Sequence, residues 1–173
     1  TATAIASGNH HTCAILANAS VKCWGYNSDG QLGIGNTNQM GDGANEMGDN
    51  LPTVDLGTGR TAIAIDAGWE HSCVIQDNGA VKCWGNNNSG RLGQGNTNKI
   101  GDGANEMGDN LTIVDLGTGR TATAIAAGAY VSCAILDNAS VKCWGAGGKL
   151  GLGDGGSRGD SANEMGDNLP TVD

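Results

Sequence analysis

Phenylalanine is absent from this 173-residue chain, and aromatic residues of all kinds make up only 3% of it. An aromatic core is thereby excluded, and the interior must be built from Ala, Val, Ile and Leu. Basic residues are scarce too. Nine Lys and Arg against eighteen Asp and Glu give a formal net charge of −9, which removes the electrostatic basis for gripping nucleic-acid phosphates. No apolar run approaches the ~20 residues that a membrane-spanning helix requires. The three histidines, His10, His11 and His71, have no G-x-S-x-G or similar nucleophile motif beside them, so the chain reads as non-enzymatic. GQLGIG and GRLGQG do not open a helix, and a phosphate cradle fails in that context.

What the chain has in quantity is glycine (31 residues), six cysteines and repetition. HTCAILANASVKCWG at 11–25 returns as HSCVIQDNGAVKCWG at 71–85 and VSCAILDNASVKCWG at 131–145. The chain divides into units at 1–60, 61–120 and 121–173, whose single slip replaces YNSDGQ by AGGK between Gly145 and Leu150. Each unit reads as short strands punctuated by turns: TATAIASG or its variants, CAIL or CVIQ, VKCWG, and a last run LPTVDLG or LTIVDLG. No helical period persists beyond a turn or two. About four antiparallel strands per sixty residues is the pattern of a β-propeller blade, so the expectation is an all-β array of three blades.

The combination of AG-x-x-HSC at 67–73, VKCWG at 81–85 and the glycine-spaced segment after it resembles the repeat of the regulator of chromosome condensation family. CWGYNSDGQLGIG at 23–35 is its most specific part, and the resemblance covers the chain three times over. Cysteines before the turn and in CWG look like those of the family's secreted subset. The resemblance implies a seven-bladed propeller, with guanine-nucleotide exchange on a small GTPase as the founding activity. Three units cannot close such a ring. The chain begins inside a unit and stops at LPTVD, five residues before the LGTGR linker of the other copies would end. That reads either as a window on a longer array or as copies stacking head to tail.

The cysteines pair as Cys13–Cys23, Cys73–Cys83 and Cys133–Cys143 if the hairpin loop between them holds three residues, because that register sets them directly opposite. Gly79 is the natural left-handed residue of this loop; where Ala19 and Ala139 replace it, Asn18 and Asn138 are expected to take that conformation. A metal site using His11 and His71, or free buried thiols, are the alternatives, although Val131 replaces the histidine in the third copy while both cysteines stay. Disulfides place the protein in an oxidising, extracellular setting.

Asp42, Glu46 and Asp49, repeated as Asp102, Glu106, Asp109 and Asp160, Glu164, Asp167, are weak calcium candidates against a reading as Asx turns. Sequons at Asn18, Asn87, Asn110 and Asn138 are candidate glycosylation sites. Trp24, Trp84 and Trp144 read as packing residues. The chain is therefore expected to be an extracellular structural repeat protein that assembles with copies of itself or adjacent repeats. A protein- or glycan-binding module is the alternative, with Tyr26–Gln31 and Asn86–Arg91 on its contact face. Nucleotide exchange comes third, since it demands a cytosolic or nuclear address.

Overall fold

In each unit the alternating runs on either side of the hairpin turn, joined by the run before them, fold into one three-stranded antiparallel sheet. The computed structural model describes residues 1–172. The first blade contains β1 (Ala2–Ser7), β2 (His11–Leu16) and β3 (Val21–Gly25). The second has β4 (Ala62–Ala67), β5 (His71–Gln76) and β6 (Val81–Gly85), and the third β7 (Ala122–Ala127), β8 (Val131–Leu136) and β9 (Val141–Gly145). Among the described residues the helical elements are short 3-10 turns set in the loops between blades, and no helix is long and apolar enough to cross a membrane.

The central hairpins share one register, with Cys13 opposite Cys23, Cys73 opposite Cys83 and Cys133 opposite Cys143. Residues 17–19 close the first hairpin as a three-residue loop: Leu16 N–H donates to the Ser20 carbonyl at 2.9 Å and Ala19 N–H to the Leu16 carbonyl at 2.8 Å. The left-handed residue is Ala19 (φ 61°) and Ala139 (φ 65°), in line with Gly79 (φ 78°). The expectation that Asn18 and Asn138 would take this role is corrected. Asn18 Oδ1 instead accepts from the Ser20 N–H and hydroxyl at 3.2 and 2.7 Å, which holds it in an Asx turn and passes the strain to the alanine. Replacing Ala19 or Ala139 with Gly should therefore raise stability by roughly 0.5–1 kcal/mol each, measured as a higher denaturant midpoint at unchanged slope.

The expected fourth strand is not continuous. Gly25 pairs with Met40 and Val21 with Val54 on the open edge of β3. An unbroken ladder running on from the first pair would set Ala44 opposite Val21, so the loop GDGANEMGDN at 41–50 accounts for the ten residues pushed out of it. The third copy breaks the same way, pairing Gly145 with Arg158 and Val141 with Val172. In the first and third blades the fourth position is thus held by two separate bridges flanking an acidic, glycine-rich excursion, and in the second by the Gly85–Ile100 bridge and a lone bond from Val114 N–H to the Val81 carbonyl at 2.8 Å.

Successive blades gather their first strands, β1 beside β4 and β4 beside β7. The two hydrophobic cores lie between blades. One takes Cys13, Ile15, Val21, Leu32 and Val54 from the first unit and Val74, Trp84, Met107 and Leu111 from the second. The other repeats this arrangement one unit later. A blade by itself therefore has no finished core, which is the usual physics of repeat arrays.

Candidate functional site

The polar chemistry of the molecule is concentrated at the joints between blades. His11 Nε2 lies 2.8 Å from Ser72 Oγ, whose hydroxyl donates to the Gln31 carbonyl at 3.0 Å. The Trp84 indole N–H donates to that same carbonyl oxygen at 3.0 Å. The next joint repeats the set with His71 and Ser132 at 2.9 Å, Ser132 to the Arg91 carbonyl at 2.9 Å and Trp144 to it at 3.0 Å. Because each serine gives its proton to the carbonyl, it must accept from the imidazole. The proton of His11 and His71 is thereby fixed on Nε2, and their buried Nδ1 atoms have no partner.

Burial of these rings disfavours the imidazolium. It lowers His11 to about 4, with a smaller contribution from neighbouring His10, and His71 to about 3, with Arg91 and His11 adding to burial. Gly8 and Gly68 stand where a side chain would collide with the imidazole rings of His11 and His71.

Trp84 is fully buried in this joint, whereas Trp24, in the same motif on the outer side of the first blade, is only half-buried. Trp84→Ala should cost about 4 kcal/mol and Trp24→Ala about 1 kcal/mol, read from urea midpoints of the two variants. Equal costs would mean that the tryptophans stabilise their own blades, not the joints.

Lysine in VKCWG works at the same seam. Lys82 Nζ donates to the Leu56 carbonyl of the preceding unit at 3.1 Å and to the Gly108 carbonyl of its own loop at 2.7 Å. Lys142 does the same with Leu116 and Gly166. Burial moves Lys82 below its ordinary value, offset in part by Asp109 and Asp55. Lys22, on the outer side of the first blade, has the Gly48 carbonyl at 2.6 Å.

The sulfurs of Cys13–Cys23, Cys73–Cys83 and Cys133–Cys143 are bonded, with Cα atoms 4.1 Å apart in each pair. A bonded sulfur offers no thiolate, and His11 and His71 turn to serines of the next blade, so the metal-site alternative has neither of its ligand types. The acids do not converge either. Glu46 accepts from the N–H groups of Gly41 and Gly43, both at 2.8 Å, which hold it below the ordinary carboxylate range. Glu106 makes the same pair of bonds to Gly101 and Gly103, and Glu164 accepts from Ser161.

Asp109 reaches across the joint to Thr58, taking its N–H at 2.9 Å and its hydroxyl at 2.6 Å, and Asp167 does the same with Thr118. Asp102 pairs with Lys99. No cluster of three His, Cys, Asp or Glu able to hold a metal ion occurs among the described residues. Of the calcium candidates Asp42, Glu46, Asp49, Asp102, Glu106, Asp109, Asp160, Glu164 and Asp167, the three glutamates accept backbone N–H groups of their own loops, and Asp109 and Asp167 tie down the linker before them.

One sequon is corrected as well. Asn87 is buried, its Oδ1 accepting from Leu92 N–H and its Nδ2 donating to the Asn96 carbonyl at 2.8 Å, so its amide nitrogen has no room for a glycan in the folded chain. Asn18, Asn110 and Asn138 are exposed. Sequence reasoning missed the His–Ser–carbonyl–Trp set altogether. The available signal was the invariance of Lys and Trp across all three VKCWG copies and the His/Ser pairing at 71–72, which no single unit could use internally.

The two outermost faces carry the same groups without a blade against them. Ile135 is 43% exposed, where Ile15 and Ile75 in the joints are 3% and 0%. Met47 is 43% exposed where Met107 is 9%. Separately, the aromatic residues outside VKCWG (Tyr26, Trp69 and Tyr130) sit on loops at one end of the blades. There Trp69 packs edge-on to Tyr130 at 4.9 Å, with Arg91 and Lys149 over the Tyr130 ring.

Two models of the regulator of chromosome condensation (RCC1) repeat match the chain, one at residues 2–31 and 62–91 and the other at 20–75. The human E3 ubiquitin-protein ligase HERC2 is 27% identical over 172 residues, covering 96% of this chain and 3% of that protein. Human WBSCR16 superposes with a TM-score of 0.69 at 19% identity, covering 98% of this chain and 37% of that one. Prp20p from Saccharomyces cerevisiae, whose structure was described with its binding to Gsp1p and histones, gives a TM-score of 0.69 at 21% identity, with coverage of 99% and 38%. The chain thus spans little more than a third of these solved structures, and the likeness to them establishes the fold.

Proposed function

The chain belongs to the regulator of chromosome condensation (RCC1) repeat family, and on that footing we propose that it works by protein contact as a non-enzymatic, disulfide-stapled assembly module of the extracellular space or cell surface. Its partners are blades of its own kind, added head to tail into a filament or a ring. The observation that supports this is the use of its polar side chains: buried His11, His71, Ser72, Ser132, Lys82, Lys142, Trp84 and Trp144, and the exposed Asp109 and Asp167 carboxylates, all join one blade to the next. None of them faces a substrate-sized enclosed cavity. The three disulfides point to an oxidising compartment, with Asn18, Asn110 and Asn138 open to glycosylation.

Sedimentation velocity over a hundredfold concentration range tests the assembly reading. Growth in size with concentration, and filaments or rings by electron microscopy, are expected. A single-chain particle throughout would overturn it. Intact mass without reductant tests the compartment: six free thiols in freshly isolated protein would remove the argument for an extracellular address.

A second reading is favoured by the placement of Tyr26, Trp69 and Tyr130 at one end of the blades. Tyr, Trp and Arg are the residue types that dominate binding hot spots, so this end is the contact surface for an extracellular protein or glycan. Nucleotide exchange on a small GTPase would require a reducing compartment in which the disulfides do not form.

A further inference from the structure

We propose that Asn78 is a site of spontaneous covalent modification, where its side-chain amide condenses with the Gly79 nitrogen, and that the isoaspartate left behind loosens the third blade from the second. Each of the three hairpins has an asparagine in the middle of its three-residue loop, at Asn18, Asn78 and Asn138. Only Asn78 is followed by glycine; Ala19 and Ala139 follow the other two. A glycine nitrogen is open to this chemistry because no β-carbon shields it, whereas an alanine methyl stands in the path. Asn78 is exposed, and it is the one of the three outside a sequon, with Ala80 where the other loops have Ser20 and Ser140.

Water is the only other reactant. The Gly79 nitrogen gives up its proton and attacks the side-chain carbonyl carbon of Asn78. A C–N bond forms, and the side-chain amide nitrogen leaves with that proton as ammonia. Water then opens the five-membered imide at one of its two carbonyls. Opening at the side-chain carbonyl leaves an aspartate. Opening at the backbone carbonyl leaves an isoaspartate, which routes the main chain through the former side chain and adds a methylene carbon to the loop.

The folded loop both restrains this reaction and is damaged by it. Gly79 N–H donates to the Gln76 carbonyl at 2.9 Å, and Asn78 Oδ1 accepts from Ala80 N–H at 3.1 Å. Cyclisation therefore waits for the loop to open. The same loop bolts together the strands beside it. Asp77 N–H donates to the Thr61 carbonyl at 3.0 Å, and the Gly79 carbonyl accepts from Ala122 N–H, at the start of β7, at 2.9 Å. An extra main-chain carbon at Asn78 displaces the Gly79 carbonyl, and the third blade loses its bond to the second hairpin.

The test incubates the full chain, made without glycans, in neutral buffer and maps its peptides by mass spectrometry, with enzymatic methylation to count isoaspartate. Conversion at Asn78 should outrun that at Asn18 and Asn138 at least ~10-fold. Gly79→Ala should stop it; the loop accepts alanine there, as it does at Ala19 (φ 61°). Ala19→Gly should make Asn18 a second site. In the isoaspartate form the Ala122 amide should exchange its hydrogen at least ~10-fold faster than in the parent. Equal conversion at the three asparagines, a Gly79→Ala chain that converts like the parent, or an inert Asn18 in Ala19→Gly would overturn the site. An isoaspartate form with its Ala122 amide protected as in the parent would overturn the effect on the joint.

Discussion

Complete reduction of the three disulfides is expected to unfold the chain at 25 °C without denaturant. Each bridge joins residues separated by 10 positions, and closing a loop of that length removes about 2–3 kcal/mol of freedom from the unfolded chain. Three bridges together contribute roughly 8 kcal/mol, a large part of the 5–15 kcal/mol that holds an ordinary domain. This chain has little to set against the loss. It orders 31 glycines, the residue with most backbone freedom to lose, and has no phenylalanine and few other large aromatic side chains.

The sulfurs of Cys73 and Cys83 are inaccessible, so reduction proceeds through opening and the measurement must wait for a constant thiol count. Cys133, half-exposed on the outer face of the third blade, should be reduced first. Tryptophan fluorescence then reports the state of the joints, since Trp84 and Trp144 are buried only there. Six titratable thiols accompanied by an unchanged spectrum and an unchanged urea midpoint would mean that the staples are incidental to the fold.

The architecture was legible because it is written three times. The period of sixty residues is read from the copies themselves, and pairing the cysteines requires the three-residue loop at 77–79; the structure has that register in every blade. Two things were not legible. The fourth strand looked continuous because LPTVD alternates like a strand, but the ten-residue excursion before it leaves a single backbone bond from Val54 to Val21 where a ladder was expected. The joints were hidden for a different reason. His11 and Ser72 are separated by a full period, and a sequence read unit by unit places them in unrelated hairpins. The acids invite a cation by their number, but in each loop the glutamate takes backbone N–H groups of its own loop, and Asp109 and Asp167 take a threonine in the linker.

Stability should fall as the solution is acidified from pH 7 to 4.5, by roughly 5 kcal/mol from the two buried histidines together. The sign follows from where each state binds its proton. An imidazole in the unfolded chain titrates near 6.5, whereas His11 and His71 in the joints are held down to about 4 and about 3. Above 6.5 both states are neutral and the full stability is present. Below it the unfolded chain gains protons that the folded chain cannot accept, at about 1.4 kcal/mol per pH unit for each ring. The loss levels off only when the folded imidazoles themselves charge.

Glu46, Asp109 and Asp167, whose carboxyls are held low by their donors, add a further loss at the acid end of the range. His71→Val separates the two effects. Valine already occupies this position at Val131, and Ser132 keeps its bond to the Arg91 carbonyl, so the variant should fold and lose about half of the pH dependence above 4.5. Urea midpoints taken at half-unit intervals measure this directly. A parent and variant with the same slope would show that the joint tolerates an imidazolium. The two histidines would then be ordinary packing residues, and Val131 no longer an informative exception among the three copies.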